Sequence, residues 1–126
     1  MARPKKEKPV EIPFEGNLED VIIQSLLEKK GVDIMHIDLK KINHVFFDSF
    51  IICSGTSKTH VETLSEYVQE NVKKTTKIRP SFVEGKGNGE WILVDYFNII
   101  VHIFQEDIRT YYDIEKLWSD APVKQF

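Results

Sequence analysis

WILVDYFNIIVHIFQEDIRTYYDIEKLW, residues 91–118, is the stretch whose reading decides the fold. Trp91 to Asp95 and Asn98 to Phe104 are apolar runs with strand character, close enough to be joined by a tight turn at Tyr96-Phe97. Such spacing predicts a β-hairpin. Side chains alternate along a strand, so Trp91, Leu93 and Asp95 share one face, and Ile100, His102 and Phe104 share the matching face of the next strand. Asp95 and His102 are ionisable groups in greasy runs, where each needs a partner or a route to water. A hydrogen bond between the two across the hairpin is the expected answer. Glu106 to Trp118 then reads as one or two helical turns, with Pro122 after their end.

Upstream, the pattern alternates between helix and strand. Asn17 has the chemistry of an N-cap, Glu19 and Asp20 suit the first turn, and Gly31 suits a stop. The spacing of Leu18, Val21, Ile22 and Leu26 predicts a helix over 18–30. Residues 34–39 alternate, with Met35, Ile37 and Leu39 on one parity and Ile34, His36 and Asp38 on the other, as in a half-buried strand. Phe46 to Cys53 is nearly all apolar and predicts a strand buried on both faces. Val61, Leu64, Val68 and Val72 mark a helix over about 58–74, capped by Ser57 or by a Thr59–Glu62 box. Residues 80–84 suit a short strand, and Gly85, Gly87, Asn88 and Gly89 suit a loop. The order α-β-β-α-β-β-β-α predicts an α/β sandwich: one mixed sheet of about five strands flanked by helices.

Bulk composition narrows the classes. The chain has 126 residues, 41% hydrophobic and 29% charged. That suits a single globular domain able to bury roughly two-thirds of its unfolded surface. No apolar run reaches the roughly 20 residues of a membrane span, so no membrane is expected as a partner. A lone cysteine, Cys53, excludes an intrachain disulfide and fits a cytoplasmic setting. Pro4, Pro9, Pro13 and Gly16 make residues 1–16 a flexible basic arm by expectation, leaving 17–122 as the domain and 123–126 as a tail. Residues 1–13 carry Arg3, Lys5, Lys6 and Lys8 against Glu7 and Glu11, a balance of +2, so the rest of the chain holds −5 of the net −3. An acidic body suits a basic partner surface, or merely solubility.

Candidate chemistry is sparse. Ser54-Gly55-Thr56-Ser57 follows a strand and precedes a helix, where backbone N–H groups can meet a phosphate. A metal-dependent nucleotidyltransferase would also need paired carboxylates on a later strand, and no Asp-x-Asp or Glu-x-Glu follows residue 57. A strand–turn–helix connection with a Ser or Thr cap accounts for the same residues. His36, His44, His60 and His102 form no zinc-ligand spacing, so no metal and no cofactor are expected. Asp95 and His102 lack a nucleophile, so no catalytic residue is assigned. Trp91 is either core or the anchor of a partner surface, and spacing leaves both open. Arg109, Tyr111, Tyr112, Asp113, Glu115 and Trp118 form a lid helix over the sheet or a contact surface.

Three segments resemble the ribosomal silencing factor family (RsfS, also called Iojap). They are Asp48 through Ser57 with His60-Val61 after it, Trp91 through His102, and Arg109 through Trp118 with Asp120-Ala121-Pro122 after it. The resemblance spans about residues 18–122. It implies a fold related to nucleotidyltransferases without their catalytic carboxylates. It also implies a non-enzymatic function: binding ribosomal protein L-fourteen on the large subunit, so that the small subunit cannot join and translation is repressed. Assistance to large-subunit assembly, ribosomal RNA nearby and a homodimer when free are further expectations. The partner-binding residues expected on this basis are Trp91, Leu93, Asp95, His102, Arg109, Tyr112 and Glu115. The sequence departs from the family at the hairpin turn, where Phe97-Asn98 stands for the usual Gly-Asp, and at Ile114 and Lys116, where Leu and Arg are common.

Overall fold

The computed structural model describes residues 16–42 and 45–126. The expected basic arm, except Gly16, lies outside the described residues, as does His44. Helix α1 spans Leu18–Glu28, and strands β1 and β2 span Val32–Asp38 and Ser49–Gly55. Helix α2 spans Lys58–Thr76, followed by β3 (Phe82–Glu84), β4 (Trp91–Asp95) and β5 (Ile99–Gln105). Helix α3 (Glu106–Tyr112), a 3₁₀ turn (Ile114–Trp118) and β6 (Val123–Gln125) complete the chain.

The strands form one sheet in the order β3-β4-β5-β2-β1-β6. It is mixed: β2 and β5 run parallel, and the other neighbours are antiparallel. The sheet has six strands where about five were expected. The extra one is β6, in the segment expected as a tail; its backbone pairs with β1 from Met35 to Ile37. Its side chains are all exposed, so it carries no hydrophobic signal, and backbone bonds alone define it.

Both long helices cover one face. Ile22, Ile23 and Leu26 of α1 and Val61, Leu64, Val68 and Val72 of α2 pack on Ile34, Ile51, Cys53, Val94, Val101 and Ile103 of the sheet. The Asn17 side chain caps α1, accepting from the Glu19 N–H at 2.8 Å. Ser57 caps α2, accepting from the His60 N–H at 3.0 Å, which decides between the alternative caps. Glu19 then ties α1 to the sheet: its Oε2 accepts from the Ser49 hydroxyl and lies 3.1 Å from His36 Nε2. Burial pushes the Glu19 carboxyl up, but the Ser49 hydroxyl and His36 outweigh it and leave the pKa lowered. The apolar run expected as one strand from Phe46 divides instead: Phe46 is exposed and Phe47 packs on the second core, before β2 begins at Ser49.

The opposite face has no long helix. Ile37, Leu39, Ile52, Phe104 and Ala121 form a smaller core there, with Trp91, Phe50, Ile108, Ile114 and Trp118 packed at its margin. The C-terminal segment therefore covers only part of this face. None of the described helices is long and apolar enough to cross a membrane.

Candidate functional site

The uncovered part of the second face is the candidate site. The β4–β5 register places Trp91 opposite Phe104, Leu93 opposite His102 and Asp95 opposite Ile100. Alternation puts all six side chains on the outer face, as the hairpin pattern predicts. Strand β3 extends it, because Phe82 is opposite Asp95 and Glu84 opposite Leu93. Trp91 is partly buried: its ring stacks on Phe104 with centroids 4.7 Å apart and meets Tyr112 at 5.0 Å. Tyr112 is 52% exposed and Tyr111 80%, so α3 adds aromatic surface beside the strands. Trp91 is thus both core margin and surface, and the two readings of its spacing meet in one residue.

His102 does not bond Asp95. Its Nδ1 accepts from the Trp91 indole N–H at 3.1 Å, and Phe50 meets its ring edge-on at 4.7 Å. The turn lies one residue later than expected, with the Tyr96 N–H donating to the Ile99 carbonyl at 2.9 Å. That register puts Leu93, not Asp95, beside His102. Asp95 caps the turn instead, its Oδ1 accepting from the Phe97 N–H at 2.7 Å. His102 is only 5% exposed, and burial pushes its pKa down from 6.5 to about 4. It supports the face as a neutral imidazole under Trp91.

Arg109 and Glu115 were expected on the surface, and the structure moves both into its support. Arg109 is 8% exposed. Its Nε donates to Glu115 Oε2 at 3.0 Å, with Nη2 in ion-pair contact with the same oxygen at 2.9 Å, while Nη1 donates to the Asp33 carbonyl at 2.8 Å and Ser54 Oγ at 2.9 Å. One guanidinium thus fastens α3 and the 3₁₀ turn to β1 and β2. It does so because a planar fork can serve several acceptors at once.

The Ser54–Ser57 turn is spent on the same internal work. Ser54 accepts from Arg109, the Thr56 N–H donates to His60 Nδ1 at 2.9 Å, and Ser57 caps α2. A Cβ on Gly55 would sit 2.9 Å from Val61 Cγ2, so glycine is required there by the close approach of α2. The adjoining cleft, about 720 Å³, is walled by Asp33, Glu106, Asp113 and Glu115 around Arg109. Four carboxylates facing a cation whose donors are occupied make a poor seat for a polyphosphate. Among the described residues no group of three or more His, Cys, Asp or Glu is arranged to hold a metal ion.

The sequence alone did not point to two exposed residues here, Phe82 (46% exposed) and Leu117 (74%), while Tyr111, read as lid or contact, is exposed. The alternation of the short 80–84 run was the available signal for Phe82.

Fold and face define a small open-faced α/β domain, with long helices on one side of a mixed sheet and an aromatic, acid-rimmed surface on the other. The chain belongs to the ribosomal silencing factor family: the model described as "Ribosomal silencing factor during starvation" matches residues 15–126. It is 35% identical over 96 residues to the ribosomal silencing factor RsfS of Bacillus subtilis, covering 76% of this chain and 80% of that protein. It is 28% identical to "Mitochondrial assembly of ribosomal large subunit protein 1" of Mus musculus, covering 79% of this chain and 44% of the mouse protein. A crystal structure of a protein from Chromobacterium violaceum superposes with a TM-score of 0.76 at 34% identity, covering 81% of this chain and 83% of the other.

Proposed function

We propose that this chain docks on the large ribosomal subunit through the outer face of β3, β4 and β5 and the adjoining C-terminal segment. Ribosomal protein L-fourteen is the seat, and the bound domain sterically keeps the small subunit from joining, so translation is repressed. Occupancy of the same surface during large-subunit assembly is a second consequence of the same contact. The observation that carries this reading is the partly buried Trp91 held between Phe104 and the half-exposed Tyr112 on the side of the sheet without long helices. Rigid aromatic side chains in this setting supply most of the affinity of protein interfaces. Leu93 gives the face apolar area, and Asp95 and Glu84 give it a negative rim suited to a basic partner. The C-terminal segment from Glu106 to Asp120 adds five acids against Arg109 and Lys116. His102, Arg109 and Glu115 act as positioning residues beneath this surface. The mechanism is occlusion and needs no bond-making step.

The test is subunit joining. Purified subunits are mixed with increasing amounts of the protein and resolved on a sucrose gradient. Joined particles are expected to decline to a plateau set by the protein. Joining that stays unchanged at saturating protein rejects the reading. Trp91→Ala should weaken binding to the large subunit by about 2 kcal/mol or more. Wild-type affinity in the folded variant would remove Trp91 from the contact.

A further inference from the structure

Among the described residues, a concentrated basic surface lies at the end of α2, apart from the residues proposed for docking. Residues 73–79 read KKTTKIR, with four cations and no acid. They form the last turn of α2 and its exit. Lys73 and Lys74 lie in the last turn, and Lys77 is the C-cap with φ of 67°. The helix dipole accounts for cations in the last turn, where orphan carbonyls carry partial negative charge. It does not account for Arg79, which lies past the helix. Lys73, Lys74, Lys77 and Arg79 line one open groove of about 490 Å³, with Glu70 as the only acid on its wall. A second hollow of about 330 Å³ continues it past Arg79 to Pro80. All four cations are exposed, and among the described residues none has a carboxylate within ion-pair distance.

One end of the groove lies next to the start of β3, the edge strand of the sheet. Pro80 precedes β3; the Ser81 N–H donates to the Asp95 carbonyl at 2.7 Å, and Phe82 pairs with Asp95. Arg79 and Pro80 therefore lie beside the β3 edge, while Lys73, Lys74 and Lys77 continue the groove along the end of α2, on the helix-covered side of the sheet.

We infer that the groove formed by Lys73, Lys74, Lys77 and Arg79 binds the phosphate backbone of RNA beside the site on which the domain docks. This inference rests on the proposed docking to the large subunit and adds a second contact of opposite charge to it. The chemistry favours an extended polyanion. The cations lie on flexible stems along an open channel, without the converging backbone N–H groups that would enclose a single phosphate. Apolar side chains that would enter a lipid surface do not line the groove, whose only non-polar wall is Pro80. Exposed cations on flexible stems along an open channel meet phosphates rather than hold a fixed donor pattern against a base edge, so the contact reads backbone and carries no sequence preference. A division of labour follows: the aromatic face selects a protein seat, and the groove adds salt-dependent affinity and orients the domain on the surrounding RNA.

The full chain and a variant with Lys73, Lys74, Lys77 and Arg79 all changed to Gln are titrated onto isolated large subunits between 50 and 200 mM salt. The substituted side chains are exposed, and circular dichroism checks the fold. The variant is expected to bind at least tenfold more weakly at the lowest salt. The slope of log affinity against log salt is expected to fall by about one for each phosphate contact removed. Both proteins are also titrated onto a short RNA duplex, onto the isolated ribosomal seat protein, and onto phosphatidylserine vesicles. The wild type should bind the RNA and the variant should not, while both bind the seat protein equally and the vesicles negligibly. A variant that matches the wild type in affinity and slope on subunits overturns the inference, as does preference of the wild type for vesicles over RNA. Failure of the wild type on subunits with retained, variant-sensitive RNA binding rejects the docking reading and leaves the RNA groove standing. Loss of both rejects both. Trp91→Ala should lower binding to subunits and leave binding to the RNA duplex unchanged.

Discussion

The indole N–H of Trp91 donates to Nδ1 of His102 across the β4–β5 pair at 3.1 Å. The bond fixes two things at once: the angle at which Trp91 lies on the face, and the tautomer of His102, whose proton must then sit on Nε2. Trp91→Phe keeps an aromatic ring over Phe104 but removes the donor, leaving a buried acceptor unpaired. Stability should fall by about 1–3 kcal/mol, the cost of an unsatisfied buried polar group. Urea unfolding measures it. A loss below about 0.5 kcal/mol would show that the bond contributes little.

The same buried imidazole makes stability depend on pH. The folded pKa is about 4 because burial disfavours the cation, against 6.5 ordinarily. Below pH 6.5 the unfolded chain takes up a proton at His102 that the native chain refuses. Stability therefore falls as pH falls from about 6.5 towards about 4, by up to roughly 3 kcal/mol from this residue, and the loss levels off below that. His102→Gln removes this titration. Unfolding free energies of wild type and variant, measured from pH 7.5 to 4.5, should converge as pH falls. Parallel curves would rule out a depressed pKa at His102.

Hydrophobic periodicity was legible wherever one face of an element is buried. The 61-64-68-72 spacing of α2 and the alternation of β4 and β5 needed no tertiary information. The shared face of Trp91, Leu93 and Asp95 was legible for the same reason, since the three have one parity whatever lies above them. Three features were not. β6 has only exposed side chains, so nothing in Val123–Gln125 distinguishes a strand from a tail. Arg109 takes its partners from Asp33 and Ser54, far away in sequence, and a charged residue on an amphipathic segment gives no sign of burial. The partner of His102 was not legible because a shared face does not say which same-face neighbour a side chain reaches. Asp95 lies two positions from Leu93, the residue opposite His102, on one side and Trp91 two positions on the other, and only the indole N–H supplies the donor.

Arg109 makes a sharp prediction because its guanidinium joins four elements, α3, the 3₁₀ turn, β1 and β2. Arg109→Ala would strand the Glu115 carboxylate, partly buried at 23% side-chain exposure, and release the Asp33 carbonyl and Ser54 hydroxyl. The expected loss is about 3–5 kcal/mol, typical of removing one partner from a buried pair. Arg109→Lys should recover little, since an ammonium cannot span the carboxylate and the two oxygens together. Arg109→Met combined with Glu115→Gln should cost less than the sum of the single changes, because the stranded charge is then gone. Chemical unfolding of Arg109→Ala and Arg109→Lys, and of wild type, Arg109→Met, Glu115→Gln and their double variant, tests this. Strict additivity would mean that the pair is not coupled.

The hairpin turn contains a residue that works against its own backbone. Phe97 has φ of 74°, in the half of conformational space that costs an L-residue roughly 1–2 kcal/mol. It is held there by the Asn98 N–H donating to the Tyr96 carbonyl at 3.0 Å and by Asp95 accepting from the Phe97 N–H. The turn is fastened from below as well, since the Asn98 side chain donates to Asp48 Oδ2 at 2.8 Å. The Phe97 ring recovers little of the strain, because it is 73% exposed. Phe97→Gly, which restores the residue usual in the family, should therefore stabilise the domain by about 1 kcal/mol, the relieved strain less the extra chain entropy of glycine. Phe97→Ala keeps the strained φ and should not stabilise. Thermal unfolding of the three proteins separates the cases: a higher melting temperature for Gly alone places the cost in the backbone. Equal gains for Gly and Ala would place it in the exposed ring instead.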